Sequence, residues 1–476
     1  VVSAGCTTGG PGRDFAPIRT EFGLPEDFPS AALVEAEQAL EQVRGGPRRD
    51  ATDLPLVTID PPGSKDLDQA VLVQRRGTGF RVHYAIADLG AFVLPGGALD
   101  QEVRRRGQTM YLPDGTVPLH PTVLSEGAAS LLPEQVRPAV LWTVDCDAQG
   151  EVERYELGRA LVRSTARLDY ESVQASLLAG TPHPSIEQLP ELGRLRRAMA
   201  AERGAVELQL PEQQITPFGD GEWTLTVRLR ADVEAWNAEV SLLTGMCAAQ
   251  IMISARVGVL RTLPTADPEA VANLHRVASA TGVDWPRDAS PAHVLAGLDP
   301  DRPESLALYV AATRLLRGAG YTAFDGTEPA VTSHAGVGAP YAHVTAPLRR
   351  LVDRFGTECC LAVTAGAEVP EWVRAALPEL PGLMSASDLL AGKVERACLD
   401  QAEAWVLADR VGEEFDAVVL RAEATGGEVF VAQPPVMARC AGEGLPEGER
   451  IRVRLVEADV GRRKVSFDRV GGKEQK

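Results

Sequence analysis

The densest group of chemically useful side chains is the run Thr58-Ile59-Asp60-Pro61-Pro62-Gly63-Ser64-Lys65-Asp66-Leu67-Asp68-Gln69-Ala70. Leu56–Asp60 reads as a strand that delivers Asp60, and Pro61-Pro62-Gly63 then reverses the chain. Asp66 and Asp68 follow at alternate positions, so in extended chain their carboxylates point the same way. The reversal can carry them back beside Asp60. Three carboxylates at that range repel one another unless a divalent cation lies between them. Oxygen ligands without His or Cys select Mg²⁺, with Mn²⁺ as a substitute, over Zn²⁺. The spacing does not fit an EF-hand, whose loop needs Gly at its sixth position. Spacing by itself leaves a surface Asp-rich turn as the competing reading. Other chemistries lack their signatures: there is no His-Glu-x-x-His, Gly-x-Ser-x-Gly, Walker loop or Rossmann glycine fingerprint. The seven His are scattered, with His83 in a strand and His343 ahead of a helix, and read as structural.

The elements that must position this run are strands. Leu56–Asp60, Ala70–Gln74 and Phe80–Ile86 are rich in Val, Ile and aromatics, and Gly77-Thr78-Gly79 turns the second into the third. Ala139–Asp145 and Val152–Arg163 flank Ala148-Gln149-Gly150. These predict an antiparallel sheet rather than a βαβ repeat. From about residue 185 the apolar period becomes helical. Trp236, Val240, Leu243, Cys247 and Ile251 form one stripe, and Leu306–Leu316 and Ala346–Cys360 also read as helices. Near the end, Asp416–Arg421, Glu428–Ala432, Val436–Arg439, Arg450–Glu457 and Lys464–Phe467 are five short strands, which suggest a small barrel of the OB kind. Arg450, Arg452 and Arg454 alternate on one face of the fourth, and Arg462, Arg463 and Lys464 adjoin the fifth. That face suits either RNA or an edge strand guarded by charge. Residues 1–53 read as a loose Gly9-Gly10-Pro11-Gly12 start and one helix, capped by Ser30, with Leu33, Ala36, Leu40 and Val43 on one face and Gly45-Gly46 at its end. This is too little chain for two further barrels.

The 476 residues suggest about three domains, and 45% hydrophobic with 24% charged residues is ordinary for a soluble globular protein. No uninterrupted apolar run approaches the ~18 residues of a membrane span, and Val1–Cys6 has neither the basic nor the apolar region of a secretory signal. Seven Cys, with Cys359 and Cys360 adjacent and no Cys-x-x-Cys, predict neither a disulfide framework nor a zinc site, and a reducing cytoplasm fits. A monomer is expected. The net charge of −18 argues against a protein that coats DNA non-specifically, but does not exclude an enzyme that binds nucleic acid in a narrow, locally basic channel.

The Asp60–Ala70 run resembles the signature of the RNB catalytic domain of the ribonuclease II / ribonuclease R family. The resemblance continues, in family order, through Tyr84-Ala85-Ile86-Ala87-Asp88, Arg106–Pro113, Leu131–Pro138, Leu168-Asp169-Tyr170 and Arg203-Gly204-Ala205-Val206-Glu207. It ends on His343-Val344-Thr345-Ala346-Pro347-Leu348-Arg349-Arg350. The fold it implies is α+β: an antiparallel sheet packed with helices around an RNA channel over residues 54–411, then an OB-fold barrel over 412–470 and a tail over 471–476. Residues 1–53 stand in place of the family's cold-shock barrels. The implied activity is processive, hydrolytic 3′→5′ degradation of single-stranded RNA to nucleoside 5′-monophosphates with Mg²⁺.

By the same resemblance, Asp60, Asp66 and Asp68 match three of four acidic signature residues, and Gln69 stands in the fourth position as a weaker metal ligand. Asp68 and Arg349 would be catalytic, with Arg350 beside them on the RNA. Tyr111 matches the aromatic that stacks on the 3′-terminal base. Tyr170 and Glu239 match the pair that senses the ribose 2′-OH, a group that offers both a donor and an acceptor. Leu208 stands near the expected place of a second stacking aromatic, and neither Glu395 nor Asp400 securely matches a glutamate the family carries after the arginine. Two alternatives remain: a non-catalytic RNA-binding protein on an RNB scaffold, with Gln69 as its sign, and a metal-dependent DNase, against which Tyr170 and Glu239 speak.

Overall fold

The computed structural model describes residues 13–471 except 209, 211, 220, 229 and 287. The expected Gly9–Gly12 start, Val1–Cys6 and the tail beyond residue 471 lie outside the described residues. Two short helices come first, α1 (Ala16–Glu21) and α2 (Ser30–Ala39), where one was expected. Helix α2 buries Ala32, Ala36 and Ala39, while Leu33, Leu40 and Val43 are exposed. The face with the smallest side chains turns inward because it lets α2 approach α3 (Ala98–Arg106) closely. Glu35 then caps α3, accepting the Ala98 and Leu99 N–H groups at 2.8 and 2.9 Å. The N-cap of α2 is Pro29, and Ser30 makes no cap bond.

The main sheet contains β1 (Arg49–Asp50), β2 (Leu56–Asp60), β3 (Gln69–Arg76), β4 (Gly79–Ala87), β7 (Val136–Cys146) and β8 (Val152–Asp169), in the order β1-β8-β2-β3-β4-β7. A small hairpin, β5 (Met110–Leu112) and β6 (Gly115–Val117), stands apart. Strands β3 and β4 join through Gly77-Thr78, with Arg76 opposite Gly79 and Gly77 at φ 58°, the left-handed region such tight hairpins use. The sheet is not wholly antiparallel. Strand β8 pairs antiparallel with β7 along most of its length, then runs parallel to β2 over its last residues, setting Asp169 opposite Asp60. That parallel pairing closes the sheet and delivers Tyr170 beside the acidic run.

The helical body begins with α4 (Tyr170–Leu178), capped by the Asp169 side chain on Ser172 N–H at 2.8 Å, and α5 (Leu189–Glu202). An unexpected hairpin, β9 (Glu212–Phe218) and β10 (Glu222–Arg228), precedes α6 (Asp232–Ala255). The predicted stripe Trp236, Val240, Leu243, Cys247 and Ile251 is buried. By length and composition α6 could cross a membrane, but it packs against α5, against β11 (Val257–Thr262) and against α10 (Leu351–Thr364), as a core helix does. Helices α7 (Pro268–Thr281), α8 (Pro291–Ala296) and α9 (Pro303–Ala312) follow, and β12 (Gly320–Asp325) pairs with β11. A two-residue pair, β13 (Ser333–His334) and β14 (Ala339–Pro340), leads to α10, with α11 (Glu371–Ala376) and α12 (Leu380–Leu407) behind. Helix α10 starts at Leu351, not at Ala346 as its pattern predicted. Arg350 is extended and bridges Gln108, so the helix begins only after it.

The last five strands form the expected closed barrel: β15 (Glu414–Glu423), β16 (Gly426–Ala432), β17 (Pro435–Ala441), β18 (Arg450–Asp459) and β19 (Lys464–Arg469), ordered β15-β16-β17-β19-β18. Its core joins that of the body. Phe15 sits edge-on to Trp223 of β10 and to Trp405 of α12, at 5.3 and 5.2 Å. Six cysteines among the described residues are free and buried.

Candidate active site

Asp60 ends β2, and the loop after it is tied down at both sides. Arg167 of β8 donates to the Ser64 carbonyl at 3.0 Å. Ser130 donates to the Lys65 carbonyl at 2.6 Å and accepts the Leu67 N–H at 3.0 Å, while the Leu67 side chain is buried. This anchor presents Asp66 and Asp68 on either side of Leu67 toward Asp60. The Tyr111 hydroxyl, on β5, lies 3.3 Å from Asp66 Oδ2. Asp68 is buried; its Oδ1 accepts the Leu348 N–H at 2.7 Å, and its Oδ2 is 3.3 Å from Arg349 Nε. The segment that carries Arg349 is held by Asp353, which accepts the Ala346 N–H at 2.6 Å and both arms of Arg350 at 2.9 and 2.8 Å.

Burial pushes all three carboxyl groups up. Asp60 reaches about 7, with Arg349 pulling it down and Asp66 pushing it further up. Asp68 reaches about 8 against the pull of Arg349 and the Leu348 N–H. Asp66 is raised too, mainly by burial. Each carboxylate is therefore short of the positive charge that would keep it ionised in its buried setting.

Not every expected site residue joins this group. Gln69 spends its amide elsewhere: Nε2 donates to the Thr345 carbonyl at 2.7 Å, and Oε1 accepts the Tyr84 hydroxyl at 2.5 Å. Arg350 is folded onto Asp353 as an internal brace rather than left free for RNA. Tyr170 does stand by the cluster, raised first by burial and then by Asp60, but the α6 side chain facing its hydroxyl is Asn237. Glu239 is two residues on, about 200° around the helix. It is buried on the side of α5, raised by burial and pulled back by Arg196 and Arg203. The expected Tyr170–Glu239 pair is thus split across α6. Leu208 packs with the apolar cluster of α7 and α9, and Asp400 pairs with Arg396 at 2.7 Å. Arg450, Arg452 and Arg454 are exposed on the outer wall of the barrel, where Arg452 meets Asp416 at 3.2 Å and Arg454 meets Glu414 at 2.8 Å. Strand β18 is paired on both sides, so it is not the guarded edge that was the alternative.

Residues 48–355 match the RNB domain, and residues 413–470 match the RNase II-type exonuclease C-terminal S1 domain. The chain belongs to the RNB family. This RNB protein is 27% identical over 482 residues to ribonuclease R of Escherichia coli (strain K12), covering 90% of the chain and 58% of the relative. It thus spans little more than half the length of that protein. Its fold is that of the apo form of Mycoplasma genitalium RNase R, with a TM-score of 0.85 at 20% identity over 96% of this chain and 77% of that one. It is also that of yeast Ssd1, described as a pseudonuclease, with a TM-score of 0.69 at 16% identity over 92% of this chain and 53% of that one.

The donor set of the RNB site fits a hard divalent cation. Asp60 Oδ2 is buried without a hydrogen-bond partner, and the three carboxylates offer only oxygen. They are not drawn into a finished cage: among the described residues, no three acidic, His or Cys side chains are gathered closely enough to ligate one ion together. Several contributors left no mark in the sequence. Ser130, Asn237, Ser241 and Asp353 act through loops and faces that only the packing brings together. The closest signal was the helical spacing of Asn237 and Ser241, one turn apart on the face of α6 opposite Glu239.

Proposed function

We propose that this RNB protein hydrolyses single-stranded RNA from its 3′ end, processively, releasing nucleoside 5′-monophosphates with Mg²⁺ as cofactor and Mn²⁺ as a substitute. The observation that carries the reading is the contact between Asp68 and Arg349, with Asp60 and Asp66 alongside. Asp60, Asp66 and Asp68 would hold the Mg²⁺, which when bound would lower the pKa of a water and offset charge on the scissile phosphate. Arg349 is partly exposed, so its remaining donors can fork onto the non-bridging phosphate oxygens. Tyr111 orients Asp66 through its hydroxyl and offers its ring to the terminal base, a stack worth roughly 1–3 kcal/mol. Tyr170 reaches the ribose 2′-OH with a hydroxyl that can donate or accept.

A binding protein without activity is the second reading, because a pseudonuclease shares the fold and Gln69 departs from the acidic signature. The intact Asp68–Arg349 contact favours the enzyme. One assay separates the readings: single-stranded RNA and DNA labelled at either end, with Mg²⁺ or EDTA. Mononucleotides from RNA only, and only with Mg²⁺, are expected. RNA binding without any product would establish the second reading.

A further inference from the structure

Gln69 follows Asp68 at the first position of β3, where the acidic signature would place another ligand. Its amide is instead part of a network of hydrogen bonds. Nε2 donates to the Thr345 carbonyl at 2.7 Å, and Tyr84 donates to Oε1 at 2.5 Å. A carbonyl can only accept, so the NH₂ end must face Thr345, and the oxygen end is left to the Tyr84 hydroxyl. The Thr345 hydroxyl meets Ser241 of α6 at 2.8 Å, and the side chain of Ser241 also faces the Tyr84 hydroxyl. Tyr84 and Thr345 are buried. Thr345 opens the short segment whose Leu348 N–H and Arg349 side chain meet Asp68. Asp68 and Gln69, adjacent in the chain, therefore grip this segment at both ends.

We propose that Gln69 is a positioning residue rather than a cation ligand: its amide fixes the 345–349 segment so that Leu348 N–H and Arg349 stand on Asp68. The inference rests on the nuclease reading above. An Asp here would be shorter by one methylene and able only to accept, so it would repel the Thr345 carbonyl instead of bonding it. The neutral side chain is what the segment needs, and the cation seat is left to Asp60, Asp66 and Asp68.

The test compares the wild-type chain with Gln69→Glu, which keeps the length but loses the donor, and with Gln69→Met, which loses both polar ends. Mn²⁺ affinity is followed by electron paramagnetic resonance, kcat and KM are measured on single-stranded RNA, and folding is checked by thermal melts. Both variants should lose about tenfold or more in kcat, because a small misplacement at the reacting centre is costly, while KM and Mn²⁺ affinity stay within about twofold. Gln69→Asn keeps the donor on a shorter reach and should fall the same way if Gln69→Met does not fold. Tighter Mn²⁺ binding with undiminished kcat in Gln69→Glu, or Mn²⁺ binding weakened about tenfold in Gln69→Met, would overturn the proposal and make residue 69 a ligand position. A wild-type chain that releases no nucleotide would refute the nuclease reading instead, and the Mn²⁺ comparison would still decide the role of Gln69.

Discussion

Leu348 donates its backbone N–H to Asp68 Oδ1 at 2.7 Å, although 280 residues of chain separate the two. That bond, with Arg349 on the other carboxylate oxygen at 3.3 Å, joins the first strands of the sheet to the segment before α10. The candidate chemistry depends on this closure.

Asp68→Asn should reduce turnover by ~100-fold or more, as losing one well-placed electrostatic group does. The change removes charge that faces Arg349 and leaves the barrel untouched. RNA affinity, measured separately, should survive. Near-normal turnover with Mg²⁺ would remove Asp68 from the site.

Tyr170→Phe should lower the ratio of RNA to DNA cleavage rates by about fivefold, the worth of one hydrogen bond of ~1 kcal/mol. Glu239→Gln should leave that ratio unchanged, because Glu239 faces Arg196 and Arg203 rather than Tyr170. Rates on matched RNA and DNA oligonucleotides check both. An effect of Glu239→Gln equal to that of Tyr170→Phe would restore the pair expected from the sequence.

Glu403 of α12 accepts Gln213 Nε2 of β9 at 2.9 Å and the Met437 N–H of β17 at 3.1 Å, so it links helix, hairpin and barrel. Burial raises its carboxyl to about 7, with those two donors pulling the other way. The folded state therefore holds a proton that the unfolded chain has already released, and this contribution to stability is lost as pH rises from the ordinary Glu range through about 7. Melting temperature should fall between about pH 5 and pH 8, and Glu403→Gln should flatten that fall while keeping an acceptor for both donors. A parallel fall in the variant would assign the dependence to other groups.

Replacing Arg450, Arg452 and Arg454 together by Ala should weaken binding of long RNA and make the dependence of log K on log salt shallower, by about 0.7 for each phosphate that is no longer neutralised. Single-turnover cleavage at saturating enzyme should change much less. Removing the whole barrel is a poorer test, because Trp405 and Phe15 share its core. An unchanged salt slope would leave these arginines only their cross-strand partners, Asp416 and Glu414.

Much of this was legible in the residues alone. Strand β2 has the predicted ends, Leu56 and Asp60, because a run of apolar β-formers stops at Pro-Pro-Gly. The five barrel strands and the buried stripe of α6 follow from alternation and from helical period in the same way. Asp60, Asp66 and Asp68 could be proposed as one group because only eight residues separate the first from the last, and local geometry governs such a span.

What lay beyond local geometry had to wait for the packing. The parallel pairing of β2 with β8, which sets Asp60 opposite Asp169 and leads into Tyr170, depends on which strands meet across more than a hundred residues. The burial of Ala32, Ala36 and Ala39 in α2 depends on how closely α3 approaches, so the larger apolar side chains are kept off the inner face. Gln69 and Glu239 show the same division at the site. Residue type made both candidates, but a side chain's role is set by the partners within hydrogen-bonding reach and by the charges around it. For Gln69 the partners are Thr345 and Tyr84; for Glu239 the charges are Arg196 and Arg203. The sequence determined which chemistry was available; the tertiary structure decided which side chains stand close enough to perform it, because hydrogen bonds and desolvation act over a few ångströms of space and not along the chain.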